Sequence, residues 1–214
     1  KYYTQFEENP TNCDVIREVY GQMRWGRCSE VDERFKKVVA AGNTNCVVVG
    51  PLQKAYQALQ DARYREAVKL FLEASETEKD KNKKGEILLL VSKIYYGHYK
   101  DFPNARRYAL QAADVRPNWG EPFILIGRLY ASSGPLCGPG QGWDSQIVTW
   151  PAIDMWNRAK RVDSGVAAEA NKWINRYSQY MPTREDVFLR NLTPGSSFKI
   201  GCWIQETTTI RTAD

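Results

Sequence analysis

The stretch Pro117-Asn-Trp-Gly-Glu-Pro-Phe-Ile-Leu-Ile-Gly-Arg-Leu-Tyr130 carries the clearest structural pattern in the chain. Pro122 can lie in the first turn of a helix, because the amide proton that proline lacks would have no helical partner there. The residues that follow at spacings of three, four and seven, all on one helical face, are Phe123, Ile126, Gly127 and Tyr130. The stretch therefore predicts a helix whose glycine lets a second helix approach closely.

A second pattern, A-x3-F-x2-A, recurs along the chain, sometimes with altered residues. Its four versions are Val31/Phe35/Val38, Ala67/Phe71/Ala74, Ala105/Ala109/Ala112 and Ala152/Trp156/Ala159. The first members lie 36, 38 and 47 residues apart, a register that independent helices would not keep. The spacing indicates repeated units of about 34 residues with short insertions.

Together the two patterns resemble the tetratricopeptide repeat, W-x2-L-G-x2-Y followed by A-x3-F-x2-A, with Phe123 replacing Trp and Ile126 replacing Leu. The resemblance covers about residues 11–164. It implies an all-α fold, a tetratricopeptide-like right-handed α-solenoid of antiparallel helix pairs in which each pair covers the apolar stripe of the next. The predicted pairs before the Pro117 unit are 16–23 with 31–39, 49–60 with 65–75, and 86–99 with 103–114.

The chain divides in this interpretation into helical repeats over 1–164 and a closing region over 165–214 that packs on the same solenoid. The repeats contain a Gly/Pro-rich insert at 134–150, whose composition argues against regular helix. Trp143 and Trp150 are expected to anchor this loop, and Asp144 to satisfy its backbone amides. A recognition role and a role as a simple groove plug are both open.

The closing region is predicted to contain a helix over about 166–180, a short helix capped by Thr183, and a β-hairpin. The hairpin strands are predicted at 197–204 and 207–212. Cys202 could then form a disulfide with Cys137, two free thiols being the alternative. The pairing of the other three cysteines, Cys13, Cys28 and Cys46, stays open.

The carboxyl-terminal segments 118–127, 136–140, 142–145 and 201–211 resemble the end of exported tetratricopeptide proteins of the Bacteroidetes cell envelope. This resemblance implies a periplasmic or outer-membrane-associated location. Because residues 2–8 look like the second half of a helix, we expect the sequence to be the carboxyl-terminal part of a longer chain, with any signal or anchor upstream.

Charge and hydropathy argue against two partner classes. The net charge is +5, and the lysine-rich stretch 79–84, interrupted by acidic residues, is interpreted as a solvated loop rather than a nucleic-acid site. The longest apolar run, Ile87–Val91, is too short to span a bilayer. The cysteine spacings match no zinc pattern, so no metal or cofactor is expected.

Tetratricopeptide proteins bind peptides along the first helix of each pair, and the resemblance places an apolar, concave partner groove on these helices. The corresponding residues are Val49, Leu52, Tyr56, Ile87, Leu90, Ile94, His98, Glu121, Ile124 and Arg128. Tyr56 and Arg128 are the expected energetic anchors. We therefore expect a non-catalytic scaffold that holds a peptide or a partner subunit of an envelope complex.

The alternative is a small-ligand or enzymatic site formed by the insert and the hairpin, with Asp144, Glu206, Arg211 and His98 as its polar groups. Their spacing shows no nucleophile, base and orienting group. His98 is expected at a helix end, as a solvated histidine or one at the edge of the core, rather than as a catalytic group. A cavity lined by Asp144, Glu206 and Arg211 would favour this alternative.

Overall fold

The computed structural model describes residues 2–46 and 50–213 and is mostly helical, with one small antiparallel sheet near the carboxyl terminus. The chain forms two compact units, Lys1–Gly50 and Pro51–Asp214. The groove residue Val49 lies outside the described residues.

In the described part of unit 1, residues 2–46, three helices form a core of their own. They are α1 (Tyr2–Glu8), α2 (Cys13–Trp25) and α3 (Glu33–Asn45). Asn12 and Asp32 cap α2 and α3 by accepting bonds from amides of the first turn. The buried side chains are Phe6, Ile16, Val19, Met23, Phe35 and Val38. A disulfide joins Cys13 to Cys46 across a Cα–Cα distance of 5.2 Å, a pairing that the sequence left open.

In the first version of the A-x3-F-x2-A pattern, Val31/Phe35/Val38, the prediction is wrong for Val31. Val31 is 75% exposed and precedes α3, because the helix begins only after its cap, Asp32. Phe35 and Val38 are buried as expected.

Unit 2 contains the remaining helices, and its successive long helices pack on one another. They are α4 (Pro51–Gln60), α5 (Tyr64–Thr77), α6 (Lys81–Ile94), α7 (Phe102–Val115), α8 (Glu121–Ala131), α9 (Gly134–Cys137), α10 (Trp143–Gln146), α11 (Thr149–Val162), α12 (Ala167–Ser178) and α13 (Arg184–Phe188). A π-helical turn, Tyr95–Tyr99, extends α6, and a 3-10 turn, Ser164–Val166, precedes α12. The lysine-rich stretch was wrongly interpreted as a loop: Asp80 caps α6, so the helix starts at Lys81.

The close helix contact predicted at Gly127 is confirmed. A Cβ atom added there would collide with the Trp156 ring of α11. The Trp156 indole is fully buried and donates a hydrogen bond to the carbonyl of Ile124, 3.2 Å away. Only glycine leaves space for this ring between the two helices.

The insert departs from its prediction, since it contains the single-turn helices α9 and α10, and α11 already begins at Thr149. Pro135 is tolerated in the first turn of α9. The Ser145 hydroxyl joins the two turns by donating to the Gly134 carbonyl at 3.0 Å and accepting from the Gly140 amide at 2.9 Å. Local side-chain bonds thus order a segment too rich in glycine for a longer helix.

The carboxyl-terminal hairpin is confirmed, with shorter strands than expected. β1 (Ser197–Lys199) pairs antiparallel with β2 (Thr207–Thr209), Phe198 opposite Thr208. The first strand ends before Ile204 because the connection turns through left-handed residues, Cys202 and Gln205. The Cys137–Cys202 disulfide forms, with Cα atoms 5.4 Å apart.

The region after residue 164 packs against the helices before it within unit 2. α12 and β2 both contact α11. Thr183 and Asp186 form a capping box at α13, which confirms the predicted cap. The boundary proposed after Ser164 stays a prediction.

Candidate functional site

Three residues of the predicted groove belong to the core. Ile94 and Ile124 are 2% and 5% exposed, and Ile87 is similarly buried. A partner can touch almost none of this surface, so their assignment to the groove is corrected. The physical reason is that the apolar run 87–91 of α6, and nearly all of α8, are covered by neighbouring elements on several sides.

The other predicted groove residues are spread over the helices of unit 2. Leu52 and Leu90 are partly buried against the core. Tyr56 is 47% exposed and packs edge-on against Phe71. Glu121 lies 3.9 Å from the ammonium of Lys93.

His98 lies in the π-helical turn, exposed at the helix end as expected. Its ring stacks on Tyr64, with ring centroids 3.6 Å apart. This contact holds the imidazole in place by packing.

Arg128 lies at the centre of a group of exposed arginine and partly buried aromatic side chains. Its guanidinium carbon is 5.2 Å from the Trp173 ring centroid and 5.9 Å from that of Tyr96. Tyr96 is fixed by a 2.9 Å hydrogen bond to Ser132. On the other helix, Arg176 lies 5.9 Å from the Trp173 ring. We call Tyr96, Arg128, Trp173 and Arg176 the arginine–aromatic surface.

Two contacts hold the central tryptophan of this surface in place. The Trp173 ring stacks on buried Trp156, with centroids 6.1 Å apart. Its indole N–H donates to the Glu169 carboxylate at 3.2 Å. In the described ranges, neither Arg128 nor Arg176 forms an ion pair with a carboxylate. Both guanidinium groups are therefore available to a partner.

A cavity of about 450 Å³ adjoins this surface, between the insert and α12. Its lining residues are Ala131, Gly134, Pro135, Gly140, Gln141, Gly142, Ser145, Gln146, Thr149, Arg176, Tyr177 and Tyr180. Ala131 lies one turn after Arg128, and Tyr177 one turn after Trp173, so the cavity continues the same helix faces. Its lining contains one cation and no carboxylate.

Sequence reasoning missed Arg106, which fixes the loop between β1 and β2. Arg106 Nη1 donates to the Ile204 carbonyl at 2.6 Å and to the Tyr130 hydroxyl at 3.1 Å. That hydroxyl donates to Glu206 at 3.0 Å, and burial raises the pKa of Tyr130 well above its ordinary value. Trp203 adds a 3.1 Å bond to Ser133. Nothing local in the sequence around Arg106 indicates this contact, which joins residues about a hundred positions apart.

The aromatic anchors of the insert also pack on the hairpin. Trp143 and Trp150 meet edge-to-face at 5.6 Å, and both contact Phe198. Trp150 donates its indole proton to the Arg211 carbonyl at 2.8 Å. Arg190 covers the outer face of Trp143.

Two polar groups of the enzymatic alternative, Glu206 and Arg211, take part in separate ion pairs. Glu206 lies 3.5 Å from Arg106, whereas Arg211 pairs with Asp154. The cavity beside the insert is lined by neither of them, nor by Asp144. Across residues 2–46 and 50–213, no group of three metal-binding side chains gathers.

No protein-family model and no curated protein matches the chain. Every helix in the described ranges falls short of the length and apolarity that crossing a membrane requires. The two disulfides are compatible with an exported protein or an oxidising compartment.

Proposed function

We propose that this chain is a non-catalytic scaffold of tetratricopeptide type that holds a peptide or a partner subunit. The observation that carries the proposal is the arginine–aromatic surface, where two exposed guanidinium groups without carboxylate partners lie on one tryptophan. Arginine, tyrosine and tryptophan supply most of the binding energy in protein interfaces. The position of these groups together at the surface favours a role in partner binding over a role in stabilising the fold.

The packing of these side chains supports the proposal. Trp156 and Glu169 fix Trp173, and Ser132 fixes Tyr96, so little side-chain entropy is lost on binding. The successive contacts of the long helices in unit 2 agree with the solenoid that we propose.

The proposed location is the bacterial cell envelope, in the periplasm or at the outer membrane. Two disulfides support an oxidising setting, where such bonds persist. The resemblance of the carboxyl-terminal segments to exported proteins points the same way.

A second candidate function is the binding of a small ligand in the cavity beside the insert. Its volume, about 450 Å³, is in the range of small-molecule sites, and its lining mixes tyrosine, amide and arginine groups. This site would use α12 rather than the hairpin. A ligand bound here that leaves partner capture unchanged would favour this candidate.

Affinity capture with a charge-reversed variant tests the scaffold. The chain and Arg128→Glu are used to capture proteins from an envelope extract of the producing cells, with Arg161→Glu as the matched control. Arg161 is exposed on α11, outside the surface. We expect one protein, captured in a fixed ratio by the chain and by Arg161→Glu, to be lost with Arg128→Glu. A protein captured equally by all three would show that the surface is not the binding site.

A further inference from the structure

We infer that the segment bound by the arginine–aromatic surface is an acidic stretch of a partner protein. This inference rests on the proposed scaffold function and specifies the chemistry of its partner. It differs from the apolar segment expected at first, because the isoleucines that would have received such a segment are buried.

The arginine–aromatic surface carries two positive charges next to one tryptophan. The guanidinium carbons of Arg128 and Arg176 both lie within 6 Å of the Trp173 ring centroid. Each guanidinium carries a positive charge without a carboxylate partner among the described residues, so a carboxylate brought close to it gains Coulombic attraction. Guanidinium groups pair with carboxylates by two parallel hydrogen bonds, which gives the pairing direction as well as strength.

The aromatic rings of the surface can receive the apolar parts of an acidic segment. In an extended segment, carboxylates at alternate positions are about 7 Å apart on one face. A segment with several carboxylates on one face can therefore offer one to each arginine. The aliphatic part of a glutamate, and an apolar residue beside it, can then pack on Tyr96 and Trp173.

The charge pattern around the surface favours a protein over a nucleic acid or an anionic membrane. Lys93 is paired with Glu121, and the Glu169 carboxylate lies on the Trp173 indole. A phosphate backbone binds best along a continuous positive track, which these carboxylates interrupt. A short acidic segment needs only the two free arginines.

The experiment uses a peptide with both ends blocked, so that no terminal carboxylate takes part. The probe is N-acetylated, C-amidated Gly-Ser-Glu-Leu-Glu-Leu-Glu-Ser-Gly, and its control has Gln in place of each Glu. Calorimetry at low salt compares the chain with the variant Arg128→Gln/Arg176→Gln. The matched control, Lys54→Gln/Arg161→Gln, removes two exposed cations elsewhere in unit 2.

We expect the Glu peptide to bind at least tenfold more tightly than the Gln peptide, and raised salt to weaken this preference. The Arg128→Gln/Arg176→Gln variant should bind the Glu and Gln peptides equally, while the matched control keeps the preference for the Glu peptide. Both variants should retain the helical circular dichroism of the parent. Equal binding of the two peptides, or no binding of either, would overturn the inference. So would a single-stranded oligonucleotide or anionic vesicles bound more tightly through the same arginines.

This outcome is separable from a failure of the scaffold itself. If Arg128→Glu abolishes partner capture but the Glu and Gln peptides behave alike, the surface binds a partner of different chemistry. If capture is unaffected by Arg128→Glu, the scaffold proposal fails at this surface.

Discussion

The two compact units achieve stability by different means. Among its described residues, unit 1 has a small core of six buried side chains and a disulfide that links Cys13, at the start of α2, to Cys46, which follows α3. Unit 2 buries a far larger apolar core, in which Trp150 and Trp156 are fully enclosed. A short chain cannot bury enough apolar surface to offset its conformational entropy, so a cross-link matters more there. Unit 2 also has a disulfide, Cys137–Cys202, but we expect the cross-link to supply a larger share of the stability in the smaller unit.

The largest expected effect comes from the core of unit 2. Trp156→Ala should destabilise unit 2 by about 3–5 kcal/mol, because it removes a buried ring that fills the space beside Gly127. Trp25→Ala is the control, since Trp25 is 85% exposed in unit 1, and it should change stability by less than about 0.5 kcal/mol. Hydrogen exchange, followed separately for the two units, measures both. Similar losses from the two substitutions would contradict the assignment of the core.

The cross-link in unit 1 should give the next effect. Cys13→Ser/Cys46→Ser is expected to cost about 3.7 kcal/mol, from the chain-entropy relation for a loop of 33 residues. The lost stability should appear as faster hydrogen exchange of the amides in α2 and α3. The control is Cys28→Ser, which removes an exposed free thiol. If the double variant exchanges like the parent, packing alone holds unit 1.

A smaller effect is expected at the hairpin of unit 2. Arg106→Gln should cost about 1.5–3 kcal/mol, the range for hydrogen bonds to charged groups, because Arg106 bonds both Ile204 and Tyr130. The amide of Ile200, which bonds Glu206, should exchange faster. Arg107→Gln, on the exposed side of the same helix, should leave that amide unchanged. Equal exchange in both variants would mean that the disulfide alone anchors this loop.

The smallest effect is the pH dependence of α3. Its cap, Asp32, pairs with Arg34, and that bond lowers the pKa of Asp32 from 3.8 to about 2. A carboxylate with a lowered pKa stabilises the fold above its ordinary pKa, and this stabilisation is lost as the pH falls to 2. Asp32→Asn keeps a capping side chain but cannot ionise. Chain and variant should therefore differ in amide NMR signals and thermal midpoint of α3 above pH 4, and converge near pH 2.

The helices were predictable wherever the apolar residues follow a 3.6-residue period. Ala67 and Ala105 lie in α5 and α7, fully buried, as their spacing indicated. The single-turn helices of the insert, α9 and α10, could not be predicted in this way, because four residues are too few to show a periodic pattern. Their conformation depends instead on the hydrogen bonds of Ser145.

The arginine–aromatic surface was harder to predict than the helices. The repeat pattern selected Arg128, which is exposed on α8, but it also selected Ile94 and Ile124, which are buried. Periodicity specifies one face of a helix and does not show how many neighbours cover it. Trp173 and Arg176 were assigned to a capping helix, and only tertiary contact brings them to Arg128 and the cavity.

Photo-crosslinking tests most directly whether the arginine–aromatic surface is where the partner binds. p-Benzoylphenylalanine replaces Tyr180, which lines the adjoining cavity, or Phe188, an exposed aromatic residue of α13 outside it. Both changes exchange one aromatic side chain for another. If the partner binds at this surface, we expect one major adduct from position 180, abolished by Arg128→Glu, and little from position 188. An adduct from position 188 alone, or one from position 180 that persists in Arg128→Glu, would show that the partner binds elsewhere.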